Sequence, residues 1–176
     1  VKPNGVRSCY EEGKRIAESL CFDYSRKFNT EICIARIFNT YGPNMHPKDG
    51  RVVSNFIVQA IKNEPITVYG NGEQTRSFCF IDDLIKGLIL LMNSNYKKPL
   101  NLGNESELKV IELAKKVVLK VGSKSKIINL NLPADDPIKR RPSIALAKKK
   151  LNWQPNTDLD EGLTKTINYF KKELKF

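Results

Sequence analysis

Tyr10 and Lys14 stand four positions apart near the head of the stretch SCYEEGKRIAESLCFDYSRKF. On a helix that spacing puts both side chains on one face, one turn apart. A phenol is a poor base at neutral pH, but an ammonium within a few ångströms favours the phenolate. A tyrosine so placed can take a proton from a substrate hydroxyl. The same spacing also arises when a tyrosine packs and a lysine is merely solvated, so the rest of the chain has to supply the other parts of any such chemistry.

The elements that must hold the pair can be read from the residues around it. Pro3-Asn4-Gly5 is a turn, Ser8 is placed to cap a helix, and Glu11 and Glu12 sit in its first turn, where acids suit the positive end of the dipole. Ile16, Ala17, Leu20, Cys21, Tyr24 and Phe28 keep helical spacing until Asn29-Thr30. Gly13 weakens such a helix by ~1 kcal/mol relative to Ala, which a close approach by another backbone would explain. Residues 32–38 form an apolar, β-branched run interrupted by Arg36, the pattern of a strand buried on both faces of a parallel sheet. Helix followed by buried strand is half of a βαβ alternation, in which ligands bind beyond the carboxyl ends of the strands. Asn39-Thr40-Tyr41-Gly42-Pro43 falls at that end.

Downstream, residues 52–62 read as a helix ended by Asn63 and Pro65. ITVYGNGEQTRSFCFIDDL gives a strand, a Gly-Asn-Gly turn and a second strand, and then a helix capped by Asp82 that runs to about residue 94. A short Asn-Leu-Gly strand, an amphipathic helix over 107–121 closed by Gly122, and a strand over 126–132 follow. PADDPIKRRPS is a polar loop bounded by prolines, and helices over 143–151 and 159–174 flank the Trp153-Gln154-Pro155 bend, with Asp158 capping the second. No internal repeat is present.

Composition narrows the classes. The chain has 176 residues, 40% of them hydrophobic and 28% charged, enough for one domain with a sizeable core or two small lobes. Its longest apolar run, LILLM, is far short of the ~20 residues that span a bilayer, and no signal peptide is evident. The chain opens at Val1 without an initiator Met and reads as part of a longer protein. Cys9, Cys21, Cys33 and Cys79 show no CxxC or Cys/His clustering and His46 is the only histidine, so neither a zinc site nor a disulfide framework is indicated. Reduced thiols suit the cytosol. A net charge of +11 raises nucleic acid as a partner. The lysines, however, lie mostly in amphipathic stretches such as ELAKKVVLKVG and LAKKKLN, with none of the motifs of a nucleic-acid reader. No nucleic-acid partner is therefore expected, and the basic balance suits an anionic small substrate.

Tyr-x-x-x-Lys opening a helix, followed some twenty residues later by a strand and Arg-x-x-Asn-x-Tyr-Gly-Pro, resembles the extended short-chain dehydrogenase/reductase family that acts on nucleotide sugars. CYEEGKR, RIFNTYGP and the string Asp-Gly-Arg-Val-Val-Ser-Asn-Phe within MHPKDGRVVSNFIVQAI are similar to the UDP-glucuronic acid decarboxylases of that family, and the resemblance runs through essentially the whole chain. It implies an α/β fold: the carboxyl-terminal part of a Rossmann-like, NAD(P)-binding extended short-chain dehydrogenase with its smaller substrate lobe. Residues 1–50 would end the dinucleotide-binding domain, and 51–176 would be mainly the nucleotide-sugar lobe with the closing helices. The implied activity is NAD-dependent decarboxylation of UDP-glucuronate to UDP-xylose through a UDP-4-keto intermediate.

On this resemblance Tyr10 and Lys14 are catalytic and also contact NAD, and Thr40 lies on the cofactor side. Arg51 belongs to the cofactor or to the substrate's anionic groups, a choice the sequence leaves open. Asn39 meets the sugar, Val68 and Tyr69 flank the uracil, and Arg76 meets the diphosphate, for which a planar guanidinium offers paired hydrogen bonds. Arg140, with Arg141 as neighbour, contacts the substrate from the basic loop. No metal is implied. A homodimer built on the Tyr10 helix is expected, as is residence in the cytoplasm or the Golgi. The Gly-rich fingerprint that seats a dinucleotide is not in these residues; YGNGEQ joins two strands and does not open a helix. The chain alone is therefore expected to bind NAD poorly and to catalyse nothing. The alternatives are a 4-epimerase or 4,6-dehydratase on the same scaffold, or a catalytically dead binding or oligomerisation module.

Overall fold

In a computed structural model the chain is described over residues 4–6, 8–132 and 139–176, Lys139 by its backbone alone. Helix α1 (Ser8–Phe28) leads to the short strands β1 (Ala35–Ile37) and β2 (Thr40–Tyr41), helix α2 (Val52–Ile61) and strand β3 (Ile66–Tyr69). Strands β4 (Thr75–Ser77) and β5 (Cys79–Phe80), helix α3 (Ile81–Met92), strands β6 (Leu100–Leu102) and β7 (Glu107–Lys109), and helix α4 (Val110–Val121) come next. Strands β8 (Ile127–Leu130) and β9 (Lys139–Arg140) and helices α5 (Ala145–Leu151) and α6 (Leu159–Glu173) complete it. This is a mixed α/β architecture in which β1 pairs with β6, β2 with β5 and β3 with β8, all in parallel. Among the described residues only β7 runs antiparallel, beside β4 in the three-stranded sheet β7-β4-β9.

Two apolar clusters lie behind these sheets. In the first, Phe56, Ile57 and Ala60 of α2, Ile66 and Val68 of β3, Leu113 and Val117 of α4, and Leu163, Ile167 and Phe170 of α6 close on one another. Each of these helices is amphipathic, so its apolar stripe has one place to go. In the second, Leu100 and Leu102 of β6 pack with Leu84 and Leu91 of α3, Ala147 and Leu151 of α5, and Trp153. Because β6 pairs with β1, segments on both sides of residue 50 meet in one sheet. Helix α6 comes so close to the first cluster that a Cβ on Gly162 would stand 2.8 Å from Tyr41 Cζ. Any larger residue there pushes the helix off the core.

Several local signals act as their chemistry requires. Asp158 caps α6 by accepting from the Asp160 amide at 2.8 Å, and Gly122 ends α4 in the left-handed conformation. In the Gly-Asn-Gly turn Gly72 has φ +76 and leaves no room for a Cβ, which would lie 2.8 Å from Ile111 Cβ. Other expectations are corrected. Ser8 is the first residue of α1, and its hydroxyl donates to the Gly5 carbonyl at 2.7 Å. A Cβ on Gly13 would meet nothing within 4 Å, so no backbone approaches it. The strand read over 32–38 is short and is not buried on both faces: Ile37 is 55% exposed. Phe80, not Asp82, occupies the N-cap of α3, and the buried Asp83 reaches across the chain to accept from the Asn156 and Thr157 amides at 3.2 and 2.8 Å. Residues 107–109 form β7 before α4 begins, and residues 139–140 of the expected loop form β9, while 133–138 lie outside the described residues.

Candidate active site

Helix α1 forms as its spacing predicts, and it carries Tyr10 and Lys14 on one exposed face, with the Lys14 ammonium 5.6 Å from the centre of the Tyr10 ring. None of its residues is buried. What ties it to the sheet is Arg36, the residue that interrupts the apolar run: its Nε and Nη2 donate to the two Glu18 carboxylate oxygens at 2.7 and 2.6 Å. The paired bonds hold the Glu18 carboxyl below the usual carboxylate range. They also fix direction. Glu18 lies ten residues before the end of α1, about 15 Å along it, so the chain has run back along the helix by Arg36. Three and four residues further in that direction are Asn39 and Thr40, about 10 to 13 Å on, while Tyr10 is about 12 Å from Glu18 the same way. The Tyr10 end of α1 and the carboxyl end of β1 therefore share one side of the molecule.

At that end Thr40 Oγ1 donates to the Phe38 carbonyl at 2.9 Å, and the Asn39 carbonyl accepts from the Cys79 amide at 2.9 Å, so the Asn39 backbone is anchored to β5. Tyr41 is buried, with its hydroxyl toward the Leu159 carbonyl at 3.4 Å, and burial holds its phenol well above the ordinary value. Tyr41 is thus a core residue, in contrast to the open Tyr10. Burial likewise pushes the Cys79 thiol up to about 12. Arg51 precedes α2 in an exposed turn, where Asp49 accepts from its amide at 3.0 Å and also from the Ser54 hydroxyl. Its guanidinium lies 3.8 Å from Asp49.

A second group lies on β3, β4 and β9. Val68 is fully buried, so its side chain serves the core, while Tyr69 is 47% exposed. Ile66 and Gly70 donate their amides to β8, which by strand alternation turns the Tyr69 peptide toward the opposite edge. There Gln74 Nε2 donates to the Tyr69 carbonyl at 2.8 Å. Arg76 and Arg140 are register partners on adjacent parallel strands, so both project from the same face of the β7-β4-β9 sheet. Arg141, one residue on, turns to the other face, where its Nη1 lies 3.8 Å from Glu107. Glu107 is a residue that reading the sequence did not single out: its carboxylate also accepts from Thr75 Oγ1 at 2.7 Å. Neither contact carries a motif, since both depend on which strands pair.

Among the described residues no group of His, Cys, Asp and Glu is placed to hold a metal, and no helix is long and apolar enough to cross a membrane.

Comparison with known proteins fixes the family. The NAD dependent epimerase/dehydratase family matches residues 2–103. The chain belongs to that family. UDP-glucuronic acid decarboxylase 1 of Xenopus tropicalis is 52% identical over 99% of the chain, which spans 42% of that relative. UDP-glucuronic acid decarboxylase 4 of Arabidopsis thaliana is 51% identical over 99% of the chain and 39% of its own length. Among solved structures, UDP-glucuronic acid 4-epimerase from Bacillus cereus, in complex with UDP-glucuronic acid and NAD, superposes with a TM-score of 0.82 at 26% identity, over 89% of this chain and 50% of that one. The chain thus spans about two-fifths of these curated relatives and half of that structure. Family membership agrees with the resemblance carried by Tyr10, Lys14 and the Asn39-Thr40 strand end, and the Rossmann-like α/β class follows from it.

Proposed function

We propose that the chain is part of an enzyme that decarboxylates UDP-glucuronate to UDP-xylose through a UDP-4-keto intermediate, with NAD as a catalytic cofactor. The observation that carries this reading is the pairing of Arg76 with Arg140 on one face of the lobe sheet. Two arginines that project from one sheet face suit a diphosphate, and the naming of relatives at about half identity supports UDP-glucuronate as the sugar nucleotide.

The residues present fit the ribose end of the cofactor: an exposed hydroxyl and ammonium on α1, on the same side as the carboxyl end of a parallel strand. Tyr10, Lys14 and Thr40 would hold that end. Arg51, exposed ahead of α2, is placed on the cofactor side in this reading. NAD, when bound, supplies a hydride acceptor and donor. Tyr10 as phenolate takes the proton of the C4 hydroxyl and returns one when the carbonyl is reduced, and Lys14 favours the phenolate. Oxidation at C4 leaves the carboxylate β to a carbonyl, so carbon dioxide departs with its bonding electrons passing into an enolate, which is then protonated. Asn39 orients the sugar, Tyr69 and the Val68 backbone border the uracil, and Arg76 with Arg140 fixes the diphosphate. Of the two neighbouring arginines, Arg140 is chosen because it shares a sheet face with Arg76.

In the same proposal residues 1–50 close the dinucleotide-binding part and 51–176 are mainly the sugar-nucleotide lobe, with α3, β6 and α5 as the elements that return to β1. The enzyme is read as a homodimer through α1, in the cytoplasm or the Golgi.

The test is product analysis with the full-length protein, UDP-glucuronate and catalytic NAD. Carbon dioxide and UDP-xylose in equal amounts support the reading. A C4-epimerised UDP-uronate without carbon dioxide moves the chain to the epimerases, and a complete lack of turnover favours a binding module.

A further inference from the structure

We propose that Glu18 and Arg36 are positioning residues for the proton transfer: their paired hydrogen bonds set how far along β1 helix α1 sits, and thereby where Tyr10 and Lys14 stand against Asn39 and Thr40. This rests on the reading of Tyr10 as the base, and it adds two residues to which that reading gives no part.

The strand supplies the fixed point. Arg36 stands opposite Asn101 in the middle of three parallel register pairs between β1 and β6. The Leu100 amide donates to the Ile34 carbonyl and the Phe38 amide to the Leu102 carbonyl, at 2.9 and 3.0 Å, so the ladder continues on both sides. Leu100 and Leu102 are completely buried, and Asn39 is tied to Cys79 just beyond. The backbone that carries Arg36 and Asn39 is thus placed by the core. Helix α1, which buries no residue within this chain, takes its place from that backbone through Arg36.

The pair also tells one placement from its neighbours. Beside Glu18 in sequence stand Ala17 and Ser19, one turn before it Lys14 and Arg15, and one turn after it Cys21 and Phe22. None of these is a carboxylate. A slide of one turn or a rotation by one residue therefore breaks both bonds, and in one direction it sets cations against Arg36. Glu12 and Asp23 point about 120° and 140° away around the axis, and they bond to Arg15 and Arg26 of α1 itself. Glu11, on the same face, is two turns off, about 10 Å. On the strand, Ile34, Ala35, Ile37 and Phe38 flank Arg36, and none of them is a donor in its side chain. Both Glu18 oxygens are engaged, so the planar guanidinium restrains direction as well as distance. Tyr10 lies about 12 Å beyond this point, where a tilt of about 5° displaces it by about 1 Å. A displacement of that size costs on the order of 100-fold in rate.

The experiment is single-turnover carbon dioxide release from UDP-glucuronate by the full-length protein with NAD, with calorimetric titration of UDP alongside. Glu18→Gln keeps the size of the side chain and removes its charge; Arg36→Met removes the other partner. Each is expected to slow release about 10- to 100-fold at saturating substrate and to bind UDP within twofold of wild type, since UDP is read to sit on the β7-β4-β9 sheet. The double variant is expected to be no slower than the slower single one, as for two residues that act through one interaction. Arg36→Lys keeps the charge without the paired geometry and is expected to recover part of the loss. Release within twofold of wild type in both Glu18→Gln and Arg36→Met, while Tyr10→Phe is slow, overturns the positioning role and leaves the base reading standing. UDP affinity that falls in step with the rate overturns it as well, because the variants then disturb the fold at large. If Tyr10→Phe itself releases carbon dioxide like wild type, the base reading fails and this proposal falls with it.

Discussion

Helix α1 and the α2-α4-α6 cluster are both amphipathic and both match their sequence patterns, yet they are held in opposite ways. Helices α2, α4 and α6 each bury four or more residues, Ile57, Leu113, Leu163 and Phe170 completely. Helix α1 buries none, leaves Ile16, Leu20, Tyr24 and Phe28 more than half exposed, and is joined to β1 through the Glu18–Arg36 pair. In the proposed reading Tyr10 and Lys14 sit on the exposed helix, and Arg76 lies on a strand that runs straight into the buried residues Ser77, Phe78, Cys79 and Phe80. Within these 176 residues, then, packing places Arg76, whereas the contact that joins the Tyr10 helix to β1 is polar.

That contrast can be broken at several strengths. Phe170→Ala opens the middle of the cluster and is expected to cost about 3–5 kcal/mol in a urea unfolding experiment, whereas Leu20→Ala on α1 of the 176-residue chain is expected to stay within about 0.5 kcal/mol. Equal costs would show that α1 is packed after all. Gly162→Ala forces a methyl group toward Tyr41, and a loss of about 1–3 kcal/mol is expected in the same assay; a neutral result would mean that α6 can shift without disturbing the core. The smallest effect belongs to Glu18. Its carboxyl is held below the ordinary value of 4.5 by the Arg36 hydrogen bonds, so its contribution is fully present above that value and is lost as pH falls through the lower folded one. Both partners are partly exposed, so the contribution is under about 1 kcal/mol. Arg36→Met should flatten the stability of the 176-residue chain relative to wild type as pH falls below 4.5, measured by denaturant midpoints; identical profiles would remove the pair from the account.

The sequence made the local elements legible because their signals are local. Asp158, Gly122 and the apolar stripes of α2, α4 and α6 specify caps, ends and buried faces within a turn or two. Asp83 shows where this stops: it reads as part of a helix start, but its partners are the amides of Asn156 and Thr157, and only the folded chain brings them near. The exposure of Ile37 was equally hidden, since a β-branched run does not say how many strands will flank it. Within the site, Tyr10 and Lys14 were legible as a pair because four residues on a helix fix their proximity. Arg76 and Arg140 could be picked out singly by resemblance, but their adjacency, and the Thr75–Glu107 hydrogen bond on the opposite face, rest on strand register between distant segments. Residue type and spacing along the chain carry no such information.

The proposed division of labour between α1 and the β7-β4-β9 sheet is tested most directly by measuring, in the full-length protein, UDP-glucuronate binding and single-turnover carbon dioxide release for Tyr10→Phe and Arg76→Ala side by side. The account predicts that Tyr10→Phe binds within a fewfold of wild type and loses on the order of 100-fold or more in release, while Arg76→Ala loses most of its affinity and, at saturation, keeps the greater part of its rate. Loss of binding in Tyr10→Phe together with unchanged binding in Arg76→Ala would contradict it.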